Sequence, residues 1–245
     1  MISVCIATYN GERFIKEQID SIISQLSEND EIIISDDGST DKTLEILKSY
    51  NDNRIKIYSH KSDASLRGKR LSNFYFVTQN FENALMYASG DYIFLSDQDD
   101  IWKPNKVKEF ISHLENNNVV MSSFEIINER LEITNSQFWN EQPFKGNILY
   151  NIAKIPFIGC CMAFRGEFIK KHLPFPKGLL LHDIWLGVLG VKEKSIYFIN
   201  KPLISYRKHT SNVSATSGKS PNPVWLRVLY RIKMYAQYIS YNFKK

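Results

Sequence analysis

The first half of the sequence alternates between short apolar runs and segments in which apolar residues recur at helical spacing. Residues 2–7 form an apolar run of strand length, and Ile15, Ile19, Ile22 and Leu26 then follow at helical spacing. Further strand-like runs cover residues 31–35, 55–59 and 92–95, with helical patterns between them. This alternation predicts an α/β fold with a Rossmann-like, doubly wound and mainly parallel sheet.

The second half of the sequence shows less regular alternation. Its strand-like runs lie at residues 119–124, 157–164 and 195–199. We expect one domain over residues 1–218, in which residues 1–115 carry the regular pattern and residues 116–218 complete the same domain. Residues 219–245 then form a distinct C-terminal segment.

The composition agrees with a globular chain. Of 245 residues, 43% are hydrophobic and 23% charged, which allows a sizeable core and argues against extensive disorder. Cys5, Cys160 and Cys161 form no C-x-x-C pair, which argues against a disulfide framework or a structural zinc site. Residues 1–6 show no secretory leader, and no apolar run approaches the ~20 residues of a spanning helix. We therefore expect a cytoplasmic protein whose membrane contact, if any, is peripheral.

The C-terminal segment is basic and amphipathic. The net charge of +5 is modest, but basic residues crowd the last quarter of the chain. Apolar residues in 224–243 recur close to helical spacing, with Arg227, Arg231 and Lys233 among them. This pattern predicts an interfacial helix that lies on anionic lipid at the inner face of the plasma membrane, through residues 223–245. A helix packed on the domain, or on another copy in a homo-oligomer, explains the pattern equally well.

An acidic turn directly follows the fourth predicted strand. Asp97, Asp99 and Asp100 lie within four residues of one another, and such carboxylates repel one another unless they are solvated or neutralised. A hard divalent cation with oxygen ligands would neutralise them and bridge a diphosphate, whereas a solvated loop or a helix cap is the simpler alternative. In that alternative Asp100 only starts the next helix.

Two more polar loops follow predicted strands. Thr8-Tyr9-Asn10-Gly11 follows the first strand, and Asp36-Asp37-Gly38-Ser39-Thr40-Asp41 follows the second. The carboxyl ends of parallel strands meet at one sheet edge, where ligands bind, so we expect these loops beside the acidic turn. Side chains alternate along a strand, so only one of the paired aspartates should face the crevice, and Asp37 is placed to bind a base or ribose.

These three elements, in this order, resemble the family 2 glycosyltransferases of the GT-A fold. The motifs that carry the resemblance are Val4-Cys5-Ile6-Ala7-Thr8-Tyr9-Asn10-Gly11, Ile34-Ser35-Asp36-Asp37-Gly38-Ser39-Thr40-Asp41, Ala88-Ser89-Gly90-Asp91-Tyr92, and Ser96-Asp97-Gln98-Asp99-Asp100-Ile101-Trp102. Two later segments extend it, His182-Asp183-Ile184-Trp185 and Tyr206-Arg207-Lys208-His209. Within this family, the sequence resembles bacterial rhamnosyltransferases or related enzymes of surface polysaccharide synthesis.

The resemblance implies roles for individual residues. It places the nucleotide at Thr8, Tyr9, Asn10, Asp37 and Asp97, and a basic loop of Arg67, Lys69 and Arg70 suits the diphosphate, with Arg70 as the candidate contact. It assigns Asp99 and Asp97 as ligands of Mn²⁺ or Mg²⁺, with His209 as an additional ligand. It makes Asp183 the general base, while Trp102, His182 and Trp185 are candidates for acceptor binding. The simpler interpretations are that Asp183 caps a helix, that His209 is solvated, and that both tryptophans pack in the core.

The resemblance also implies a reaction. A sugar would move from a UDP or dTDP sugar to a hydroxyl of a glycan or an undecaprenyl-linked acceptor, with inversion, in surface polysaccharide synthesis. Residues 1–115 would bind the nucleotide sugar and residues 116–218 the acceptor. A sugar nucleotidyltransferase is the first alternative, but no Gly-rich phosphate loop with a following Lys is present. A non-catalytic carbohydrate-binding protein would not need Asp97, Asp99 and Asp183 together, and no broad basic face indicates nucleic-acid binding.

Overall fold

The computed structural model describes residues 1–62, 71–210 and 222–243, and Arg67, Lys69 and Arg70 of the predicted basic loop lie outside them. Within these ranges the strands are β1 (Ile2–Thr8), β2 (Glu31–Asp36), β3 (Ile55–Ser59), β4 (Tyr92–Ser96), β5 (Ile101–Trp102), β6 (Val119–Ile127), β7 (Ile133–Asn135), β8 (Met162–Arg165) and β9 (Ile196–Arg207). The helices are α1 (Ile15–Ile23), α2 (Thr43–Ser49), α3 (Ser72–Tyr87), α4 (Lys106–Leu114), α5 (Ile148–Lys154), α6 (Gly166–His172), α7 (His182–Lys192) and α8 (Val224–Phe243).

All nine of these strands belong to one sheet, in the order β3-β2-β1-β4-β8-β6-β9-β5, with β7 paired to β6. Strands β1 to β4 are mutually parallel, and β6 and β9 are parallel to each other. Strand β8 is antiparallel to both β4 and β6, so β6 and β9 share the direction of β1 to β4. The carboxyl ends of β1, β2 and β4 are therefore neighbours at one edge.

Helices cover both faces of the sheet, as the predicted doubly wound arrangement requires. On one face, Ile15 and Ile19 of α1 and Phe110 of α4 pack with Val4 and Ile32 of the sheet. The opposite face is covered by buried residues of α3, α5, α6 and α7, among them Phe81, Ile152, Phe168 and Ile184. Two apolar layers enclosing one sheet give the burial that fixes the strand register.

The second half departs from the predicted pattern at one place. Residues 157–164 were expected to form one strand, but only the final part joins strand β8, after a short 3₁₀ turn, Gly159–Cys161. Ile155 ends α5 with a left-handed backbone (φ 53°), so the chain leaves the helix through a turn instead of an extended run. The apolar character of 157–164 reflects burial, which strand and turn residues share.

The C-terminal helix α8 spans Val224–Phe243, as the apolar spacing predicts. Leu226, Tyr230 and Met234 are its buried residues, and Met234 joins the core cluster on the α7 side of the sheet. The helix contacts α5, and the Nε atom of Arg231 donates to the carbonyl of Ala153 at 2.7 Å. Across the described ranges, every helix is too short or too polar to cross a bilayer.

Candidate active site

The neighbouring strand ends open onto a cleft of about 1020 Å³, which α3 and the first turn of α7 also line. The cleft brings together nine of the residues predicted from sequence, namely Thr8, Tyr9, Asn10, Asp37, Asp97, Asp99, His182, Asp183 and His209. The cleft also has apolar lining residues, among them Phe74, Val77, Pro156, Phe157 and Tyr230. The three polar loops therefore share one edge, as the parallel sheet predicts.

The paired aspartates after β2 have different surroundings. The carboxylate of Asp36 accepts hydrogen bonds from the Thr8 hydroxyl at 2.8 Å and from the Ser39 backbone N–H at 2.8 Å, so it holds the two loops together. Asp37 lines the cleft, and its carboxylate accepts from the backbone and the hydroxyl of Ser62 at 2.6 and 2.7 Å. Only Asp37 faces the cleft, as side-chain alternation predicts.

The acidic turn is tied to the first loop by Gln98. The Tyr9 backbone N–H donates to Gln98 Oε1 at 3.0 Å, and Gln98 Nε2 donates back to the Tyr9 carbonyl at 3.1 Å. A Cβ atom at Gly11 would lie 2.4 Å from Gln98 Oε1, so only glycine leaves room for this pairing. Asn10 Oδ1 accepts from the Thr40 backbone N–H at 2.9 Å and joins the second loop.

Asp97 and Asp99 are half-buried at the cleft floor. Burial, followed by the charges of Asp99 and Asp183, raises the pKa of Asp97 to about 7. Asp99 Oδ2 lies 2.8 Å from His209 Nε2, so the two residues come together from β4 and β9 as the resemblance implies. The site therefore contains an excess of carboxylates in a partly desolvated place.

Asp100 is not the start of the next helix, because α4 begins at Lys106. Its side chain is buried, and Oδ1 accepts from the Arg207 backbone N–H at 3.0 Å. Oδ2 has no hydrogen-bond partner among the described residues. Ligand atoms of Asp97, Asp100 and Cys160 lie within 4.8 Å of one another. A thiol suits softer metals than Mg²⁺ or Mn²⁺. In this group of three residues, only the carboxylates of Asp97 and Asp100 could therefore bind such a cation together with Asp99 and His209.

Two buried cations that the sequence did not single out support the acidic turn. Arg207 donates from Nε to the Asp99 carbonyl at 2.9 Å and pairs with Glu17 of α1. Lys106 Nζ donates to the Cys160 carbonyl at 2.9 Å, and burial lowers the pKa of this amine to about 8. Arg207 belongs to the Tyr206-Arg207-Lys208-His209 segment, although the resemblance gave it no role, and Lys106 of α4 lies in none of the predicted motifs.

Asp183 lies in the first turn of α7, where the helix dipole favours a negative charge. Its Oδ1 accepts from the Ile184 backbone N–H at 2.8 Å, and the Gly159 backbone N–H also interacts with this carboxylate. Burial outweighs these hydrogen bonds and raises the pKa of Asp183 to about 6. The carboxylate therefore serves the start of α7 and also lines the cleft.

Trp102 and Trp185 do not line the cleft, which corrects the expectation that they bind the acceptor. Trp102 is 3% exposed, and its ring centroid lies 5.4 Å from that of Phe94. Trp185 is 1% exposed and packs edge-on against Tyr241 at 5.2 Å. Core packing accounts for both indoles. Of the three acceptor candidates, His182 alone faces the cleft.

Asn80 of α3 is a cleft residue that sequence reasoning missed. Its Nδ2 donates to the Thr8 carbonyl at 3.1 Å, and its buried Oδ1 has no partner within the described ranges. Asparagine in the middle of a helix carries no motif, so only the fold reveals this residue. The free acceptor oxygen suits an N–H or O–H group of a ligand.

The sequence resembles enzymes that act on lipid-linked sugars and on nucleotide sugars. It is 29% identical to the UDP-Glc:alpha-D-GlcNAc-diphosphoundecaprenol beta-1,3-glucosyltransferase WfgD of Escherichia coli over 92% of this chain and 84% of that protein. It is 32% identical to the dTDP-rhamnosyl transferase RfbG of Shigella flexneri over 84% of this chain and 72% of that protein.

Two solved structures share the fold. S. aureus TarS 1-349 in complex with UDP-GlcNAc superposes with a TM-score of 0.67 at 19% identity, over 95% of this chain and 66% of that one. The mannosyltransferase PcManGT from Pyrobaculum calidifontis, in complex with GDP-Man and Mn²⁺, gives a TM-score of 0.58 at 16% identity, over 98% and 74% of the two chains. The chain thus spans just under two thirds of TarS 1-349. The predicted GT-A type α/β fold is confirmed.

The family model described as Glycosyl transferase family 2 matches residues 3–173. This range contains β2 to β8, all of β1 except Ile2, and the three polar loops of the cleft. Because the match covers well over half of the 245 residues, the chain belongs to glycosyl transferase family 2 and is a glycosyltransferase.

Proposed function

We propose that this glycosyltransferase is an inverting, cation-dependent enzyme of bacterial surface polysaccharide synthesis. It transfers a sugar from a nucleotide-diphosphate sugar to a hydroxyl of a glycan or lipid-linked oligosaccharide. The observation that carries the proposal is the presence of Asp183, Asp97 and Asp99 in one cleft. A carboxylate with a raised pKa provides the base, and the acidic turn provides a place for the diphosphate and its cation.

The polar residues that line the cleft suit the nucleotide. Tyr9 is 42% exposed at the cleft and offers an aromatic face to a base, while Thr8 and Asn10 shape the same loop. Besides Ser62, the His60 ring contacts the Asp37 carboxylate at 3.2 Å, and the carboxylate retains a lone pair beyond these contacts, so it can accept from a base or ribose. WfgD and RfbG are named for UDP-Glc and dTDP-rhamnosyl transfer, and TarS is solved with UDP-GlcNAc, which supports a UDP or dTDP donor.

The acidic turn fits a hard divalent cation. Asp97 and Asp99 offer carboxylate oxygens and His209 an imidazole, which are ligand types that Mn²⁺ and Mg²⁺ accept. The raised pKa of Asp97, caused by burial and then by the charges of Asp99 and Asp183, supports a local excess of negative charge. When bound, the cation would stabilise the charge that develops on the departing diphosphate. The Mn²⁺ in the PcManGT complex supports this assignment.

Asp183 takes a proton while its carboxylate also accepts backbone hydrogen bonds. The carboxylate retains lone pairs beyond those used by Ile184 and Gly159, and one of them takes the proton of the acceptor hydroxyl. The hydroxyl oxygen then forms a bond to the anomeric carbon as the bond from that carbon to the diphosphate oxygen breaks. The electron pair leaves with the diphosphate. A single displacement from the opposite face inverts the configuration at the anomeric carbon.

The apolar residues that line the cleft suit a lipid-linked acceptor. Phe74, Pro156, Phe157 and Tyr230 line it, and Tyr230 belongs to α8. The cleft therefore connects the catalytic carboxylates to a helix whose outer face is itself apolar. WfgD is named for a diphosphoundecaprenol acceptor, which supports an undecaprenyl-linked substrate here. We infer that α8 contacts the inner face of the plasma membrane, where such an acceptor would be found.

A nucleotide panel tests the donor and cation assignments. UDP-glucose, UDP-GlcNAc, dTDP-rhamnose and GDP-mannose are added to the protein with and without MnCl₂ or MgCl₂, and the melting temperature is recorded. A ligand that binds only the folded state raises the melting temperature. We expect a UDP or dTDP sugar to raise it, and the cation to increase that shift.

Asp99→Ala should remove the cation-dependent part of this shift, and Asp91→Ala is the matched control, since the Asp91 side chain is 78% exposed beside the N-terminus. The proposal fails if no nucleotide sugar changes the melting temperature of the wild-type protein. The metal assignment fails if Asp99→Ala keeps the full response to the cation.

A further inference from the structure

His182 lies next to the proposed base and forms part of the cleft wall. Its side chain is buried, and its ring stacks on Phe81 with centroids 4.4 Å apart. Burial lowers the pKa of His182 to about 3, so the imidazole is neutral at physiological pH. A neutral imidazole has one N–H donor and one bare nitrogen, and its function depends on which nitrogen faces the cleft.

The Thr78 hydroxyl fixes the tautomer. Thr78 Oγ1 donates its single proton to the Leu180 carbonyl at 2.9 Å, since a carbonyl can only accept. The His182 Nδ1 atom lies 3.3 Å from the same Oγ1, and no second hydroxyl proton is available for it. Nδ1 must therefore carry the proton and donate it to Thr78. The His182 backbone N–H, also at 3.3 Å, uses the remaining lone pair of Oγ1.

This arrangement leaves Nε2 as a bare acceptor. Nε2 is buried and has no hydrogen-bond partner in the part of the chain that the structure describes. A Cβ atom at Gly159 would lie 3.3 Å from Nε2 and 3.6 Å from Asp183 Cβ. Gly159 thus keeps a side chain from crowding Nε2 and the base. A buried acceptor without a partner costs free energy unless a ligand supplies a donor.

We propose that His182 is a recognition residue whose Nε2 accepts a hydrogen bond from a hydroxyl of the sugar bound beside Asp183, and that Thr78 positions His182 for this task. The inference rests on the proposed function. Because Nε2 can accept and cannot donate, it favours a hydroxyl donor at that place over a deoxy position or an ether oxygen. A sugar without the hydroxyl leaves the nitrogen unpartnered. Selectivity for the sugar thus follows from one proton on Nδ1.

The tautomer can be measured without any substrate. In protein labelled with ¹⁵N at histidine, two-bond ¹⁵N–¹H correlations distinguish a protonated from a bare ring nitrogen. The His182 signals are identified by their absence from His182→Asn. We expect a protonated Nδ1 and a bare Nε2, with a shift of the Nε2 resonance when the nucleotide sugar selected by the panel is added. A protonated Nε2 would overturn the inference, whatever the enzyme does with sugars.

Kinetics test the recognition role. His182→Asn can keep the donor to Thr78 but ends before the position of Nε2, whereas His182→Gln can place an oxygen there. Gly159→Ala keeps the histidine and presses a methyl group onto Nε2. We expect kcat/KM for transfer to fall roughly tenfold in the Asn and Ala variants, as for one lost hydrogen bond, and to recover in part with Gln. The loss of the buried ring stacked on Phe81 should lower the melting temperature of the Asn and Gln variants, but its shift with UDP or dTDP should stay at the wild-type value.

The outcomes separate this inference from the proposed function. A wild-type protein that neither binds nor transfers nucleotide sugars contradicts the function, while the NMR measurement still decides the tautomer. A wild-type protein that transfers sugar, together with a His182→Asn variant of equal kcat/KM, contradicts the recognition role. In that case Nε2 is satisfied by water only.

Discussion

In the proposed mechanism Asp183 accepts a proton, while its Oδ1 also accepts from the Ile184 backbone N–H in the first turn of α7. Asp183→Asn separates these tasks, because the amide oxygen can still accept from the Ile184 backbone N–H while the second oxygen is lost. We expect the rate of transfer to fall by about 10²–10⁴, the usual contribution of a general base. Release of the nucleoside diphosphate measures this rate. The melting temperature and its shift with nucleotide should remain unchanged.

Asp91→Asn serves as the matched control, since it makes the same change on an exposed carboxylate far from the cleft. It should transfer at the wild-type rate. Near wild-type transfer by a folded Asp183→Asn protein would mean that another group takes the proton.

The raised pKa of Asp183 predicts a pH dependence. A general base acts only when it is deprotonated, and burial raises the pKa of Asp183 to about 6 in the folded protein. Below about pH 6, kcat/KM should therefore fall close to tenfold per pH unit. The folded state binds this proton more tightly than the unfolded chain, so this group by itself stabilises the protein as the pH falls through 6. Melting temperatures recorded at each pH separate loss of the base from unfolding. An acid limb near pH 4 would contradict the assignment.

The sequence could predict those site residues that follow strands. Thr8, Asp37, Asp97 and Asp99 each stand at or just after a strand end, so the parallel sheet alone brings them to one edge. Side chains such as Asn80, Arg207 and Lys106 come from helices or from the far strand β9, and only tertiary contacts place them at the site. The same limit explains why the prediction for Trp102 was wrong. This residue follows the acidic motif in sequence, but its side chain lies in the core.

Strand β9 shows the equivalent limit for secondary structure. The run at residues 195–199 predicted its beginning, yet the strand continues to Arg207. Asn200, Lys201 and Pro202 interrupt the apolar pattern, and the pairing of β9 with β6 shifts register at this point. The strand persists because β6 and β5 pair with it on both sides. Local periodicity cannot report pairing with strands that are distant in sequence.

Helix α7 carries Asp183, the proposed base, and the packing of this helix explains why residue 187 is a glycine. A Cβ atom at Gly187 would lie 2.3 Å from the ring of buried Phe157, which lines the cleft. Gly187→Ala should therefore displace α7 or the ring and destabilise the protein by about 1–3 kcal/mol, although alanine normally favours a helix. Urea unfolding measures the free-energy change. We also expect slower transfer, because the displaced helix carries Asp183.

Gly146→Ala is the matched control, because a Cβ atom there would have no neighbour within 4 Å. It should leave both stability and transfer near wild-type values. A Gly187→Ala protein that is as stable as wild type or more stable would mean that the contact with Phe157 relaxes freely and does not fix the position of α7.

At the scale of the whole molecule, α8 is apolar on two opposite faces. One face packs on the domain through Leu226, Tyr230 and Met234. On the other face Val228, Leu229 and Ile232 are 49, 52 and 61% exposed, which is a large apolar surface to leave in water. Arg227, Arg231 and Lys233 are the charged residues of this helix, and all are basic. Exposed apolar side chains among cations match an anionic lipid surface better than a neutral partner.

Replacing Leu229 and Ile232 with glutamine should weaken the proposed membrane binding without disturbing the cleft. The wild-type protein should sediment with phosphatidylglycerol vesicles, and less with phosphatidylcholine vesicles or at high salt, because salt screens the basic residues. The double variant should bind at least tenfold more weakly, since each aliphatic side chain contributes about 1.5–3 kcal/mol when fully buried. Its melting temperature shift with nucleotide should be that of wild type.

The control for this experiment makes the same substitutions elsewhere on the surface. Leu149 and Ile133 are 56 and 57% exposed, so replacing both with glutamine removes the same apolar groups without changing α8. This control should bind vesicles like the wild-type protein. A different outcome would assign this face of α8 to a second copy of the chain. In that outcome the wild-type protein does not bind vesicles and is a dimer in light scattering, whereas the α8 variant is a monomer. The proposed lipid-linked acceptor would then have to reach the cleft without help from α8.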